Sequence, residues 1–311
     1  MIELSKQFIP ATDEVWRLQT IDDPECKFFQ RMAKHGHYGD RPGHTLQGIY
    51  VCSASGEFLA SVNSTNADSV LRMMQRGLRA WKAMPENKRK LSADSEFKPR
   101  HRWEDSYPEN GLVVSVVTRD LPAQCDPSSP CEVRWNRDFV WFSQQEARQW
   151  LPQNPEVGQT QTLPAKFTAR ITRFHLVDTV NGQTTHYNKR EVKDSEISTR
   201  VTRLEDNHVH LEIFGKTKAN SPGQRAHESP HGVVTQLLGR ATYDLQRRVF
   251  EEFEIVALGR RWGHTQFNVR RNDEESGPLG YVFRLTSEKT PHVAPAFLHA
   301  YEADWVRRSR R

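Results

Sequence analysis

Between Gln47 and Met84 the apolar positions change period, and the change predicts two kinds of element. Ile49-Tyr50-Val51 and Phe58-Leu59-Ala60 are short apolar runs on either side of Ser53-Ala54-Ser55-Gly56. This pattern reads as a β-hairpin whose four-residue turn has glycine where a positive φ is needed. Ala67, Val70, Leu71, Met74, Leu78 and Trp81 then recur at i, i+3, i+4 spacing. That spacing makes one apolar stripe on a helix, the face expected to pack on the sheet. Asn66 is a good N-cap, and Pro85 ends the helix. Upstream, Phe8 to Val15 contains a strand-like stretch, Pro24 to Lys34 has helical character, and His35 to His44 is a Gly/His/Pro loop. Lys88 to Asn110 is polar and charged and reads as a linker.

From Gly111 the pattern turns to strands. Leu112 to Val117 and Phe139 to Phe142 are apolar runs, and Glu146 to Trp150 predicts a short helix. Phe167 to Val177 reads as a longer strand, with Asn181-Gly182 as a two-residue hairpin turn before Thr184 to Tyr187. Ile197 to Leu204 and His208 to Phe214 flank Asp206-Asn207, predicting the next hairpin. Val233 to Leu245, Val249 to Leu258 and Gly280 to Leu285 complete the set. The expected class is α+β: an α/β module over 1–90, a linker over 91–110, and an antiparallel β sandwich or barrel over 111–311.

Composition narrows the picture. The chain has 311 residues, 36% of them hydrophobic. Its mean hydropathy is -0.76. No apolar run approaches the ~20 residues of a membrane span, and the first residues lack a basic-then-apolar leader. The expectation is a soluble protein, cytoplasmic as the sequence stands and periplasmic or extracellular if a signal segment precedes it. Lys and Arg number 44 against 39 acidic residues, a mildly basic balance. Arginine doublets recur at Arg247-Arg248, Arg260-Arg261, Arg270-Arg271, Arg307-Arg308 and Arg310-Arg311. Neighbours on a strand point to opposite faces, so a doublet does not make an anion patch, and a nucleic-acid partner is not expected.

The strand–turn–strand–helix order of residues 47–84 resembles the closing half of a thioredoxin fold, as joined in some bacterial proteins to a β-rich half. Leu4 to Pro10 is similar to the end of that family's first helix running into its second strand. Gln47 to Val51 and Gly56 to Leu59 are similar to the third and fourth strands. The family's Cys-x-x-Cys would lie before residue 1, and the place of its cis-proline is held by Leu46-Gln47-Gly48. The resemblance therefore implies a degenerate module without its dithiol, or a redox protein whose dithiol lies upstream of the numbered chain.

Several groups are candidates for chemistry. His227-Glu228-Ser229-Pro230-His231 matches a zinc-protease string, but that mechanism needs a helix, and Pro230 predicts a turn. His208-Val209-His210-Leu211-Glu212 alternates cleanly, so His208, His210 and Glu212 share one strand face and are the candidate ligands for a divalent metal, with His175, His186 or His264 as a further ligand. The bland alternative is the solvated face of a half-buried strand. His35, His37 and His44 cluster in one loop. His175 reads either as a hydrogen-bonded core histidine or, with Asp178, as an acid–base pair. Trp135, Phe139, Trp141, Phe142 and Trp150 lie near Arg134, Arg137 and Arg148, the signature of a β core with an arginine rim. Cys125 and Cys131 bracket a tight loop that fits a disulfide or free thiols, and less well a zinc site.

No Gly-x-Ser-x-Gly elbow, P-loop or Gly-x-Gly-x-x-Gly is present. The leading expectation is a non-catalytic binding or scaffold protein, with a small apolar or anionic ligand, or a protein partner, held by the β domain. A metal-binding protein or metal-dependent enzyme using His208 and His210 is the alternative.

Overall fold

The computed structural model describes residues 2–13, 15–39, 43, 45–91, 102–121, 134–182, 184–223, 227–287 and 290–306. Cys125, Cys131, His44 and Arg307 to Arg311 lie outside the described residues. The chain forms two compact units, residues 1–100 and 101–311.

The first unit contains α1 (Ile2–Ser5), α2 (Val15–Thr20), α3 (Pro24–Ala33), β1 (Ile49–Cys52), β2 (Phe58–Val62), α4 (Ala67–Ala83) and α5 (Glu86–Arg89). β1 and β2 pair antiparallel, and Gly56 in their turn has φ +89°. Asn66 caps α4 by accepting the Ser69 N–H at 3.0 Å. The buried face of α4 is Val70, Met73 and Gly77. At Gly77 a Cβ would come within 2.8 Å of the Val51 side chain, so glycine lets the helix lie close on the strand. Trp81, at the end of the predicted stripe, is instead exposed and stacked under Arg89 at 4.9 Å.

The expected strand between Phe8 and Val15 does not form. The chain there runs open and enters α2 at Val15. Arg17 on α2 pairs with Asp13, Asp23 and Glu25, and Asp23 accepts the Cys26 N–H, capping α3. Local charge pairing and capping thus favour two helices over a strand with no partner. Among the described residues this sheet has two strands.

The second unit carries β3 (Leu112–Asp120), β4 (Trp135–Phe142), α6 (Gln144–Arg148), β5 (Thr160–Thr162), α7 (Ala165–Phe174), β6 (Val192–Glu205), β7 (His208–Ser221), β8 (His231–Asp244), β9 (Val249–Trp262) and β10 (Gly277–Leu285). Its strands form one eight-stranded antiparallel sheet in the order β4-β3-β10-β9-β8-β7-β6-β5. With the helices this is a mixed α and antiparallel β architecture. It is neither a sandwich nor a barrel: β4 pairs with β3 alone and β5 with β6 alone among the described residues. A helix takes the place that a second sheet would fill.

That helix is α7, over most of the segment that reads as a strand. Phe167, Ile171 and Phe174 fall at i, i+4 and i+7 and are buried with Thr168, Arg170 and Thr172 between them. Phe167, Ala169 and Ile171 also alternate with Thr168, Arg170 and Thr172, so the same residues fit a strand period as well as a helical one. Asn181-Gly182 then forms a turn within a loop, Gly182 donating to the Thr179 carbonyl at 3.1 Å, rather than a hairpin. Phe142, Trp150, Phe167 and Phe253 meet edge-on beside α7. These rings join the inward residues of the sheet, such as Val140, Ile213 and Tyr281, in one core.

Two buried polar devices sit in this apolar mass. Arg170 donates to both oxygens of Glu146 at 2.7 and 2.8 Å and lies 4.5 Å over the Tyr301 ring. Glu146 also closes the N-terminal capping box of α6. On the other face of β3 and β4, Val113, Phe139 and Trp141 are covered by Leu298, Tyr301 and Val306. Trp103 and Tyr107, in the stretch that reads as linker, pack on the same cluster. Among the described residues no helix is long and apolar enough to cross a membrane.

Candidate functional site

Antiparallel strands bring their alternate ends together, and the two ends of this sheet differ. At one end the start of β4, the loop after α7, the entry to β6, the β7–β8 connection and the segment near Phe297 enclose a cleft of about 790 Å³. That volume suits a small-molecule ligand. Asn136, Arg137 and Asp138 line it from β4, His186 and Glu191 from the loop after α7, and Glu228 and His231 from the β7–β8 connection.

Asp138 is fixed from behind. Its Oδ1 accepts the Ala296 N–H at 3.0 Å, and its Oδ2 lies 3.0 Å from His175 Nδ1. His175 Nε2 lies 2.7 Å from the Tyr301 hydroxyl. A carboxylate only accepts, so Nδ1 carries the hydrogen. Burial pushes the Tyr301 hydroxyl far above its usual range, which keeps it an O–H. His175 is thus the hydrogen-bonded core histidine of one sequence reading, and its carboxylate partner is Asp138. Asp178 serves elsewhere.

Glu191 Oε1 accepts from the Ser221 hydroxyl at 2.8 Å, and its Oε2 accepts the Asn188 N–H at 2.6 Å. His231 Nδ1 bonds the Ser229 carbonyl at 2.8 Å, and its ring stacks near Tyr187. The zinc-protease string is a connection between strands, as its proline predicts. Glu228 and His231 face the cleft, but His227 sits at φ +74° with Nδ1 3.2 Å from Arg271. The two histidines do not share a helix face.

Arg270 holds Asp178, the neighbour of the cleft-lining Thr179. Its guanidinium donates to Asp120 at 2.7 and 2.9 Å, to Asp178 at 2.9 and 3.1 Å, and to Asp273 at 2.9 Å. Arg261 donates to Asp273 at 2.6 Å. Burial raises the Asp273 carboxyl, but the bonds and charges of Arg261 and Arg270 outweigh it and hold the group below the usual range. Of the other doublets within the described residues, Arg247 donates to Glu251 and Arg260 to the Ser276 hydroxyl. Phe139, Trp141, Phe142 and Trp150 are core residues, and Trp135 is exposed beside Arg137.

At the opposite end each of the predicted metal ligands has its own partners. His208, His210 and Glu212 share one face of β7, as the alternation requires. Glu212, however, pairs with Arg200 on β6. His210 lies 3.0 Å from Arg203 Nη2 and 3.3 Å from the Thr242 hydroxyl. His208 instead meets two carboxylates that the alternation does not reveal, Asp244 and Glu251, with one donor atom from each of the three within 4.8 Å of the others. Asp244 is held below the usual carboxylate range, chiefly by the Arg247 N–H. Burial opposes this, while the Gln246 N–H and the charges of His208 and Arg247 add to it. His37 bonds the Gln47 carbonyl, and His35 lies against Phe58.

No protein-family model matches the chain, and no curated protein or solved structure is significantly similar to it. The site must therefore be read from its own chemistry.

Sequence reasoning misses Asp138 and Glu191, and it names His186 only as a possible further ligand for the His208–His210 face. One signal was present. Asn136 and Asp138 have the parity of Val140 and Phe142, so polar residues stand where the β4 alternation calls for apolar ones. Nothing local marks His186 or Glu191, because their meeting depends on the path of the loop after α7.

Proposed function

We propose that this is a non-catalytic binding protein whose β domain takes a small organic cation in the cleft at the α7-loop end of the sheet. The observation that supports it is the lining. Among the described residues that line it, Asp138, Glu191 and Glu228 carry formal negative charge and Arg137 carries positive charge. Asp138 accepts the Ala296 N–H, and Glu191 accepts the Asn188 N–H and the Ser221 hydroxyl, bonds that orient these carboxylates at the cleft wall. Phe267 and Phe297 add aromatic faces suited to a cation. An apolar or anionic ligand fits this lining less well. Residues 1–90 read best as a degenerate thioredoxin-like module, supported by the β1–β2–α4 order and the absence of Cys-x-x-Cys from the sequence.

The test is a thermal-shift and calorimetric screen of the full chain with putrescine, tetramethylammonium and arginine methyl ester against acetate and phosphate. Amines should raise the melting temperature, and Glu228→Gln should reduce the shift. Stabilisation by the anions alone would overturn the ligand class. Substrate turnover in a hydrolase or redox panel would overturn the non-catalytic reading.

A further inference from the structure

We infer that His208, Asp244 and Glu251 form a divalent-cation site at the hairpin-turn end of the sheet, apart from the cleft. Three features of the backbone place these donors together. His208 opens β7 and stands directly across the ladder from Asp244, the last residue of β8. The β8–β9 register runs Thr242 to Glu252 and Tyr243 to Phe250, so Glu251 is the extra residue of a β-bulge. A bulge re-aims the side chain it carries, and here Glu251 Oε2 comes within 3.2 Å of His208 Nε2.

Each carboxylate is anchored by one oxygen, which leaves the other for a cation. Asp244 Oδ1 accepts the N–H groups of Gln246 and Arg247 at 2.7 and 2.9 Å. Glu251 Oε1 accepts from Arg247 Nη1 at 2.8 Å. Such outer bonds orient the ligands of metal sites. Donors around a zinc or manganese ion, with bonds of ~2.0–2.2 Å, lie roughly 3–4 Å apart, so a small rotation of the half-exposed His208 and Glu251 side chains closes the set. One imidazole and two carboxylates suit Zn²⁺ or Mn²⁺. The set has no thiolate or thioether that would favour a softer ion. Glu251 also borders a groove with Arg203, His210, Arg240 and Glu252, which leaves the outward positions of a bound ion open to solvent.

The experiment is calorimetric titration of the chelator-washed full chain with Zn²⁺ and Mn²⁺, together with the visible spectrum after Co²⁺ addition. One ion should bind per chain at this site. His208→Ala and Glu251→Gln should each weaken binding at least tenfold, whereas His210→Ala and Glu212→Gln should leave it unchanged. Circular dichroism checks that each variant folds, and Glu251→Gln carries the test if His208→Ala does not. Absence of stoichiometric uptake, uptake indifferent to both variants, or an equal loss in His210→Ala would each overturn the assignment. None of these outcomes bears on amine binding in the cleft.

Discussion

The two ends of the eight-stranded sheet are made differently, although the same strands run into both. The hairpin-turn end is local: His208, Asp244 and Glu251 fall within 44 positions, joined by adjacent ladders and one bulge. The cleft end is assembled from afar, with Asp138, His175, Glu191, Glu228 and Ala296 brought together by a helix, a long loop and the C-terminal segment. The first is a rim whose polar groups are half in water. The second is a hollow lined by carboxylates, histidines and the rings of Phe267 and Phe297. The lesson is that a deep site needs a brace. Arg170, paired with Glu146, lies over Tyr301, which bonds the His175 that holds Asp138, and Arg270 holds Asp178 next to the cleft-lining Thr179, whereas the pairs at the hairpin end are largely exposed.

The comparison breaks most sharply at Arg270. Its side chain is 2% exposed, and Asp178 beside it is nearly as buried. Arg270→Met leaves that carboxylate without its cation, and loss of one partner of a buried pair costs about 3–5 kcal/mol. The urea midpoint should fall accordingly, and amine binding at the cleft should weaken. A loss under about 1 kcal/mol would mean that the brace is dispensable.

A smaller effect is expected at Gly263, where β9 leaves the sheet. Its φ is +71°, and a Cβ there would press on the Pro230 carbonyl. Gly263→Ala should cost roughly 1–3 kcal/mol through backbone strain, and it should shift the Glu228–His231 wall while leaving the hairpin end untouched. Thermal melts with Zn²⁺ and putrescine titrations would separate the two. Equal damage to both ends would erase the distinction.

The smallest effect is in acid. The Asp273 carboxyl lies below its unfolded value of ~3.9. A depressed group contributes stability that is present above the unfolded pKa and is lost as pH falls through the folded one. Stability should therefore decline below about pH 4, and Asp273→Asn should flatten that part of the profile. An unchanged acid limb in the variant would assign the decline to other carboxylates.

Much of the element list was legible. The β1–β2 hairpin, the Asn66 cap and the strand character of β3, β4 and β6 to β10 follow from alternation and turn residues, which are local properties. Helix α7 was not legible, because Phe167 to Thr172 alternates apolar and polar and so fits a strand as well as a helix. Neither was the single sheet, since alternation reports one buried face and is silent on whether a helix or a second sheet covers it. Of the metal candidates, the shared face of His208, His210 and Glu212 was readable. Their partners were not, because Arg200, Thr242 and Glu251 arrive through register and a bulge.

By itself the sequence determined most of the strands and the face on which His208, His210 and Glu212 stand, for these depend on residues a few positions apart. Only the tertiary structure decided that α7 fills the sheet's inner face, that Asp138 meets His175 and not a nucleophile, and that Glu251 rather than Glu212 meets His208. Those pairings join residues far apart in the chain or displaced by one bulged position. Their energy depends on distance and burial, which a string of residues does not contain.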